Sequence, residues 1–209
     1  MKRSLILTVT LLMALMVNTG MIRAEEDFNP IRPQMVIKFH FIVEHVDQKD
    51  WTWQLTVAKS SFPESLTYTW VRPQKNNPDW TGTRILTGLG ISRNFNPWFT
   101  NKESKATNDT APWLSPLVLK ELRDKDKSDD FREGGSGAVN WAAASLTVKE
   151  KVIFPVVING KPEALYALKL SKGITVWNNL QNPLVLEYEP LGVPLFTSVT
   201  GWKVTEINY

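Results

Sequence analysis

Apolar and polar residues alternate over three successive stretches near the start of the chain. Ile37, Phe39, Phe41 and Val43 fall on one side against Lys38, His40 and Glu44, and Trp51, Trp53, Leu55 and Val57 against Thr52, Gln54 and Thr56. Leu66, Tyr68 and Trp70 repeat the pattern against Thr67 and Thr69. A period of two is the mark of a half-buried strand, and three such strands in succession predict an antiparallel sheet with one wet face. Asp47–Asp50 supplies a polar turn between the first two.

The second β-rich region runs from Val152 to Glu189. Asn159-Gly160 sits between two apolar runs, and a type I′ turn needs positive φ at both central residues, so a hairpin is predicted there. Ser171-Lys172-Gly173 and Asn182-Pro183 break the chain again, which predicts a meander of at least four short strands. Trp141–Val148 resumes β character before it, and Val193–Tyr209 offers one or two closing strands through Trp202, Val204 and Ile207.

Only one segment reads as a good helix. Ser115 suits the N-cap and Pro116 the first helical position, with Leu114, Val118 and Leu122 spaced to face the sheet together. The expected helix covers about residues 116–124 and fades into the mixed-sign stretch Arg123–Phe131. Pro73–Gly90 reads as loop with a short Arg84-Ile85-Leu86 run, and Asn94–Thr110 as a long polar loop. Strands, one helix, then strands give a mainly β fold with a minor α part: an antiparallel sheet, sandwich or half-barrel with the helix packed on it. A wound parallel sheet would need helices between most strands.

Met1–Ala24 has a basic start, an apolar run over Leu5–Val17 and a small residue at its end, the layout of a secretory signal peptide. Its apolar run is shorter than the roughly 20 residues of a spanning helix. One β-rich domain, Glu25–Tyr209, is expected to follow, opening on an extended arm. The whole chain carries 24 basic and 21 acidic residues. Removing Lys2, Arg3 and Arg23 with the leader leaves 21 against 21, so the basic balance is no argument for nucleic acid. The absence of cysteine excludes disulfides, a thiol nucleophile and a zinc–thiolate site.

Catalytic signatures are thin. His40 and His45 lie five apart on one strand and point to opposite faces. No Gly-x-Ser-x-Gly elbow is present. Asp124–Asp130 has carboxylates at alternate places but lacks the glycine and glutamate of a calcium loop, and reads as a solvated charged linker. Gly134–Gly137 is a flexible turn rather than a phosphate cradle. Glu187 and Glu189 share a strand face without a visible cleft. Asn108-Asp109-Thr110 matches the glycosylation pattern, which matters only in a eukaryotic secretory pathway. Tyr209 closes the chain on an aromatic residue, but the alternation behind it does not suit a membrane barrel.

The compositional excess is tryptophan, at nine positions. Trp80, Trp98 and Trp113 lie in or beside expected loops, where an aromatic ring can stack on a sugar or a proline, and they are the candidate binding residues. No catalytic residue, metal ligand or cofactor is assigned.

The segments Thr110-Ala-Pro-Trp-Leu-Ser-Pro-Leu, Val157-Ile-Asn-Gly-Lys-Pro and Val176-Trp-Asn-Asn-Leu-Gln-Asn-Pro-Leu-Val-Leu-Glu-Tyr resemble those of a family of uncharacterised secreted bacterial β-rich proteins. Members share a Trp-Leu-Ser helix start, an Asn-Gly or Asp-Gly hairpin and an Asn-Pro-Leu segment. Asn178-Asn179-Leu180 here replaces an acidic pair and proline. The resemblance covers most of residues 35–209 and implies bacterial export, with no activity attached. The expected function is a non-enzymatic binding or structural protein of the bacterial envelope, periplasmic or secreted, whose partner is another envelope protein, a glycan or a lipid. An envelope hydrolase of glycan or ester is one alternative. A lipid carrier with a cavity lined by Phe39, Phe41, Trp53 and Leu55 is the other.

Overall fold

The computed structural model describes residues 30–42, 52–73, 78–97, 102–134, 143–189 and 201–209. In chain order the strands are β1 (Val36–Ile42), β2 (Thr52–Ser61), β3 (Ser65–Arg72), β4 (Trp80–Thr87), β5 (Asn94–Phe95), β6 (Lys102–Thr107) and β7 (Lys127–Glu133). There follow β8 (Ala144–Ile158), β9 (Lys161–Leu170), β10 (Ile174–Trp177), β11 (Val185–Tyr188) and β12 (Gly201–Asn208). The helix α1 (Pro116–Lys125) lies between β6 and β7. The molecule is mainly β with a single α-helix among the described residues, as the alternation predicts.

All twelve strands belong to one sheet in the order β5-β7-β8-β9-β10-β11-β12-β1-β2-β3-β4-β6. The chain's last strand therefore sits at its centre, between β11 and β1. Most neighbours are antiparallel, but β4–β6, β5–β7 and β8–β12 are parallel, so the sheet is mixed rather than purely antiparallel. The short β8–β12 ladder, Glu206 to Val157 and Ile207 to Ile158, closes β8 through β12 into a five-strand circuit. The two ends of the strand order also meet. Asn96 N donates to Thr110 O at 2.8 Å and Thr110 N to Asn94 O at 2.9 Å, joining β5 to the segment that follows β6.

Aromatic rings fill the enclosed face. Phe39 packs tilted against Trp53 at 4.4 Å and meets Trp202 edge-on at 5.2 Å. Trp202 contacts Tyr188, which contacts Phe95, which lies beside Phe131. Such tilted and edge-to-face pairs add to the area each ring buries. Phe39, Trp53 and Leu55 are buried and Phe41 is half-buried against Trp53 at 5.8 Å. Of the residues expected to line a lipid cavity, the rings of Phe39, Phe41 and Trp53 thus pack on one another, and Leu55 is buried.

Several stretches without clean periodicity are nevertheless strands. β4 begins at Trp80, well before the Arg84–Leu86 run, and β5 and β6 lie within the expected loop 94–110. β6, Lys-Glu-Ser-Lys-Ala-Thr, pairs along one side only with β4, and its charged and hydroxyl side chains suit an edge strand. The expected charged linker is instead the end of α1 followed by β7. Asp126, at φ 54°, caps the helix by donating its N–H to Leu122 O at 3.1 Å. In β7 a register shift between Ser128 and Phe131 puts these two inward and hides the alternation.

The Asn159-Gly160 turn has φ 49° and 77°, the type I′ pattern. Its hairpin, β8 with β9, tolerates two prolines for a definable reason. Pro155 has no N–H, so its pairing with Ala164 is of the kind without ladder hydrogen bonds. Alternation places Val157–Pro162 in the same class, where the second proline is equally harmless. Two residues further, Tyr166 turns its carbonyl away from β8 to accept from Asn178 N at 2.9 Å.

A Cβ at Gly160 would meet nothing within 4 Å, so substitution there is opposed by backbone conformation alone. Gly160→Val is expected to destabilise by about 1–2 kcal/mol, read as a lower urea midpoint with unchanged slope. A variant as stable as the parent would mean that the turn does not hold the hairpin.

Candidate functional site

Pro30, Ile31, Phe62, Pro63, Pro116, Leu180 and Gln181 line a groove of about 290 Å³. Its walls come from four separate places in the chain. Ser60 Oγ donates to Ile31 O at 2.9 Å and fixes the entering segment against β2. Phe62-Pro63, joined by a cis peptide bond, forms the β2–β3 turn, closed by Glu64 N donating to Ser61 O at 2.8 Å. Pro116 opens α1, where Ser115 Oγ accepts from Val118 N at 3.1 Å, the cap that the sequence predicts. Leu180 and Gln181 stand on a turn held by Gln181 N donating to Asn179 Oδ1 at 2.9 Å and Asn182 N to Asn179 O at 3.1 Å.

Three of the seven lining residues are prolines, which have no N–H to donate. None of the seven ionises. The walls present C–H surface, with the Gln181 amide the one polar side chain among them. Such a concave, apolar site with few polar groups takes an apolar group of a ligand or partner. A groove between the sheet and the Trp113–Leu122 helix is among the expectations from the sequence, but these lining residues are not, because they are punctuation, X-Pro turns and a helix start, that meet only in space.

Of the three candidate tryptophans, Trp80 and Trp113 do not share a surface. Trp80 starts β4 and is 44% exposed. Trp113 is fully buried, and its Nε1 donates to Asn182 Oδ1 at 2.8 Å. Trp98 lies outside the described residues. Trp113 is therefore a core residue with no ring face open to a ligand. Removing its donor should leave the Asn182 carbonyl short of a bond, so Trp113→Phe is expected to cost about 1–3 kcal/mol in chemical denaturation. A loss below the error of that measurement would remove the hydrogen bond from the list of stabilising contacts.

Several titratable groups of the described residues tie elements together. Arg84 Nη2 meets Asp109 Oδ2 at 3.2 Å, both side chains buried. Burial pushes the Asp109 carboxyl up from its usual value, opposed by Arg84 and Asn96. Tyr188 donates to Glu133, whose other oxygen faces Lys172 Nζ at 3.6 Å; burial first, then this carboxylate, raises the Tyr188 hydroxyl. Glu187 pairs with Lys203 at 3.6 Å, while Glu189 is exposed. His40 is half-buried in the β1 ladder between Lys203 and Thr52, and His45 is outside the described residues. In the calcium-like stretch Asp124 pairs with Lys120, and Asp129 with Lys127 and Ser145. Among the described residues no three His, Asp or Glu side chains gather to hold a metal.

Arg93 makes the most elaborate of these ties. Its two terminal nitrogens grip Glu121 of α1 at 2.8 and 2.7 Å, and Nη1 also reaches Ser128 Oγ at 3.0 Å and Asp129 O at 2.7 Å on β7. The Arg93 hydrogen bonds hold the Glu121 carboxyl at about 2, against an ordinary 4.5. A carboxylate depressed on folding contributes stability that is complete above its unfolded value and lost as pH falls through its folded one. The loss should therefore fall between pH 4.5 and about 2. Glu121→Gln is expected to flatten this part of the acid-unfolding curve followed by circular dichroism. An unchanged slope would show that the pair does not carry acid stability.

Comparison with protein-family models, with curated proteins and with solved structures finds no match, so the groove and the exposed Trp80 must be read from their own chemistry.

Proposed function

We propose that this chain is an exported bacterial envelope protein that binds rather than catalyses, seating an apolar group of its partner in the groove between the β2–β3 turn and the start of α1. The observation that carries this reading is the groove lining itself: prolines, isoleucine, phenylalanine and leucine from four chain segments, with no ionisable side chain. A hydrolase would need an acid, base or nucleophile facing the bound group, and these walls offer none. The leader-like pattern of Met1–Ala24 supports export, and the resemblance to secreted β-rich proteins points the same way. The apolar group is an acyl chain of an envelope lipid or an apolar side chain of another envelope protein.

Native mass spectrometry of Glu25–Tyr209 purified from a bacterial periplasm tests the reading. Wild type is expected to carry a lipid adduct or a protein partner, and Leu180→Asp, which places a charge on the groove wall, to lose it. An adduct retained by Leu180→Asp would place binding elsewhere. A partner-free wild type at micromolar concentration would leave the groove without a tight occupant and count against the proposal.

A further inference from the structure

The outward face of the β8–β9 hairpin departs from the rest of the sheet. On β2 and β3 the residues that alternate with the buried ones are polar: Thr52, Gln54 and Thr56, then Thr67 and Thr69. An antiparallel sheet with one wet face normally reads this way. On β8 the residues that alternate with buried Phe154, Val156 and Ile158 are Ile153, Pro155 and Val157. Their ladder partners on β9 are Tyr166, Ala164 and Pro162. Opposed residues share a face, so six side chains with a single polar group, the Tyr166 hydroxyl, stand together on one side of the hairpin. Ile153 is 45% exposed, Pro155, Pro162 and Ala164 are exposed, and Val157 and Tyr166 are half-buried. All three pairs are of the kind without ladder hydrogen bonds, where facing side chains approach most closely. Val152–Ile158 is an unbroken apolar run, the composition of a strand covered on both faces, and the described fold covers only one of them.

The charges around this face are unbalanced. Lys151 lies two residues from Ile153, hence on the same face, and Lys149 occupies the register shift just before it. Both are exposed, and neither is ion-paired among the described residues. Glu150 and Glu163 alternate to the other side of the hairpin, where Lys169 and Lys161 offset them. Glu206, the β12 neighbour of Val157, is tied to Lys38 at 2.8 Å. The unbalanced charge at the apolar face is therefore that of two ammonium groups at one end.

Three residue pairs fall far short of the roughly 20–30 residues a side of a stable protein interface. A bilayer surface needs no such area. It takes in apolar side chains at the level of the headgroups, and anionic lipids hold the basic groups beside them. A tyrosine suits that level, with an apolar ring and a wet hydroxyl, and lysine stems run along apolar surface while the ammonium stays in water. We propose that the β8–β9 face lies on an anionic membrane surface, with Ile153, Pro155 and Tyr166 entering the headgroup layer and Lys149 and Lys151 meeting lipid phosphates. The face shares no residue with the groove, so either can fail without the other.

The test is co-sedimentation of Glu25–Tyr209 with vesicles of one-third phosphatidylglycerol in phosphatidylcholine, and with vesicles of phosphatidylcholine alone. Binding to the anionic vesicles is expected, with little to the neutral ones, and half-molar sodium chloride should weaken it. Lys149→Gln and Lys151→Gln should each weaken it about fivefold, and Ile153→Asp should abolish it. Ile153→Thr, which keeps a β-branched side chain, should weaken binding with an unchanged thermal melt; this separates lost contact from lost fold. Leu180→Asp, on the groove wall, should bind as wild type does. No binding to the anionic vesicles, equal binding to both kinds, or binding lost with Leu180→Asp and kept with Ile153→Asp would each overturn the proposal. So would a dimer in vesicle-free buffer that Ile153→Asp makes monomeric, since the face would then belong to a second copy of the chain.

Discussion

Seven consecutive residues, Asp109–Ser115, are buried, and burying an irregular stretch of backbone obliges the fold to find partners for its N–H and C=O groups. The rest of the structure is arranged around meeting that obligation. Thr110 bonds both ways with β5, and Pro112 O accepts from Val185 N at 2.8 Å. Leu114 N donates to Pro183 O at 2.9 Å, and Ala111 O accepts from the Tyr68 hydroxyl at 2.8 Å. Ser115 then caps the helix and its carbonyl accepts from Leu119 N at 3.0 Å. One segment thus ties β5, β3, β11 and α1 together, and its hydrogen bonds to β5 join the two ends of the strand order. Each tie depends on position along the chain, so a one-residue slip would strand several buried polar groups at once.

Buried charge reinforces the same segment. Arg84 and Asp109 face each other where desolvation works against both, and such a pair adds little net stability over an apolar replacement. What it adds is discrimination: with Asp109 out of register, each charge would be buried unpaired. Arg93 plays the corresponding part at the helix, where its fork fits the Glu121 carboxylate and reaches β7 in the same grip. We read both as devices that fix which elements meet, and the aromatic core as what drives them together.

Much of this fold was legible in the sequence, and the exceptions have physical causes. β1, β2 and β3 show because one face of each is buried against aromatic residues while the other is wet, and the Asn159-Gly160 turn shows because few residues adopt its dihedrals. The helix start shows because Ser115 and Pro116 are chemically suited to it. β6 was hidden because Ala106 is its one apolar residue, and β7 because its register shift breaks the period. Trp113 looked like a loop residue, which it is in secondary structure. Its burial comes from the turn at Asn182, 69 residues away, which no local pattern can announce. The groove is illegible for the same reason: its prolines mark an entering segment, a turn and a helix start, and only the folded sheet brings these together.

How the fold holds the groove bears on what the groove can bind. The groove is walled by prolines with restricted φ and by a capped helix start, so little conformational freedom is lost when an apolar group enters. The aromatic core is held in another way: Trp70 lies over Gly82, Trp53 meets Trp70 edge-on, and Phe39 packs tilted against Trp53. A side chain at position 82 would lift Trp70 from the sheet and disturb that row. Among the tryptophans first singled out, Trp113 belongs to the core, while Trp80 stands exposed at the start of β4.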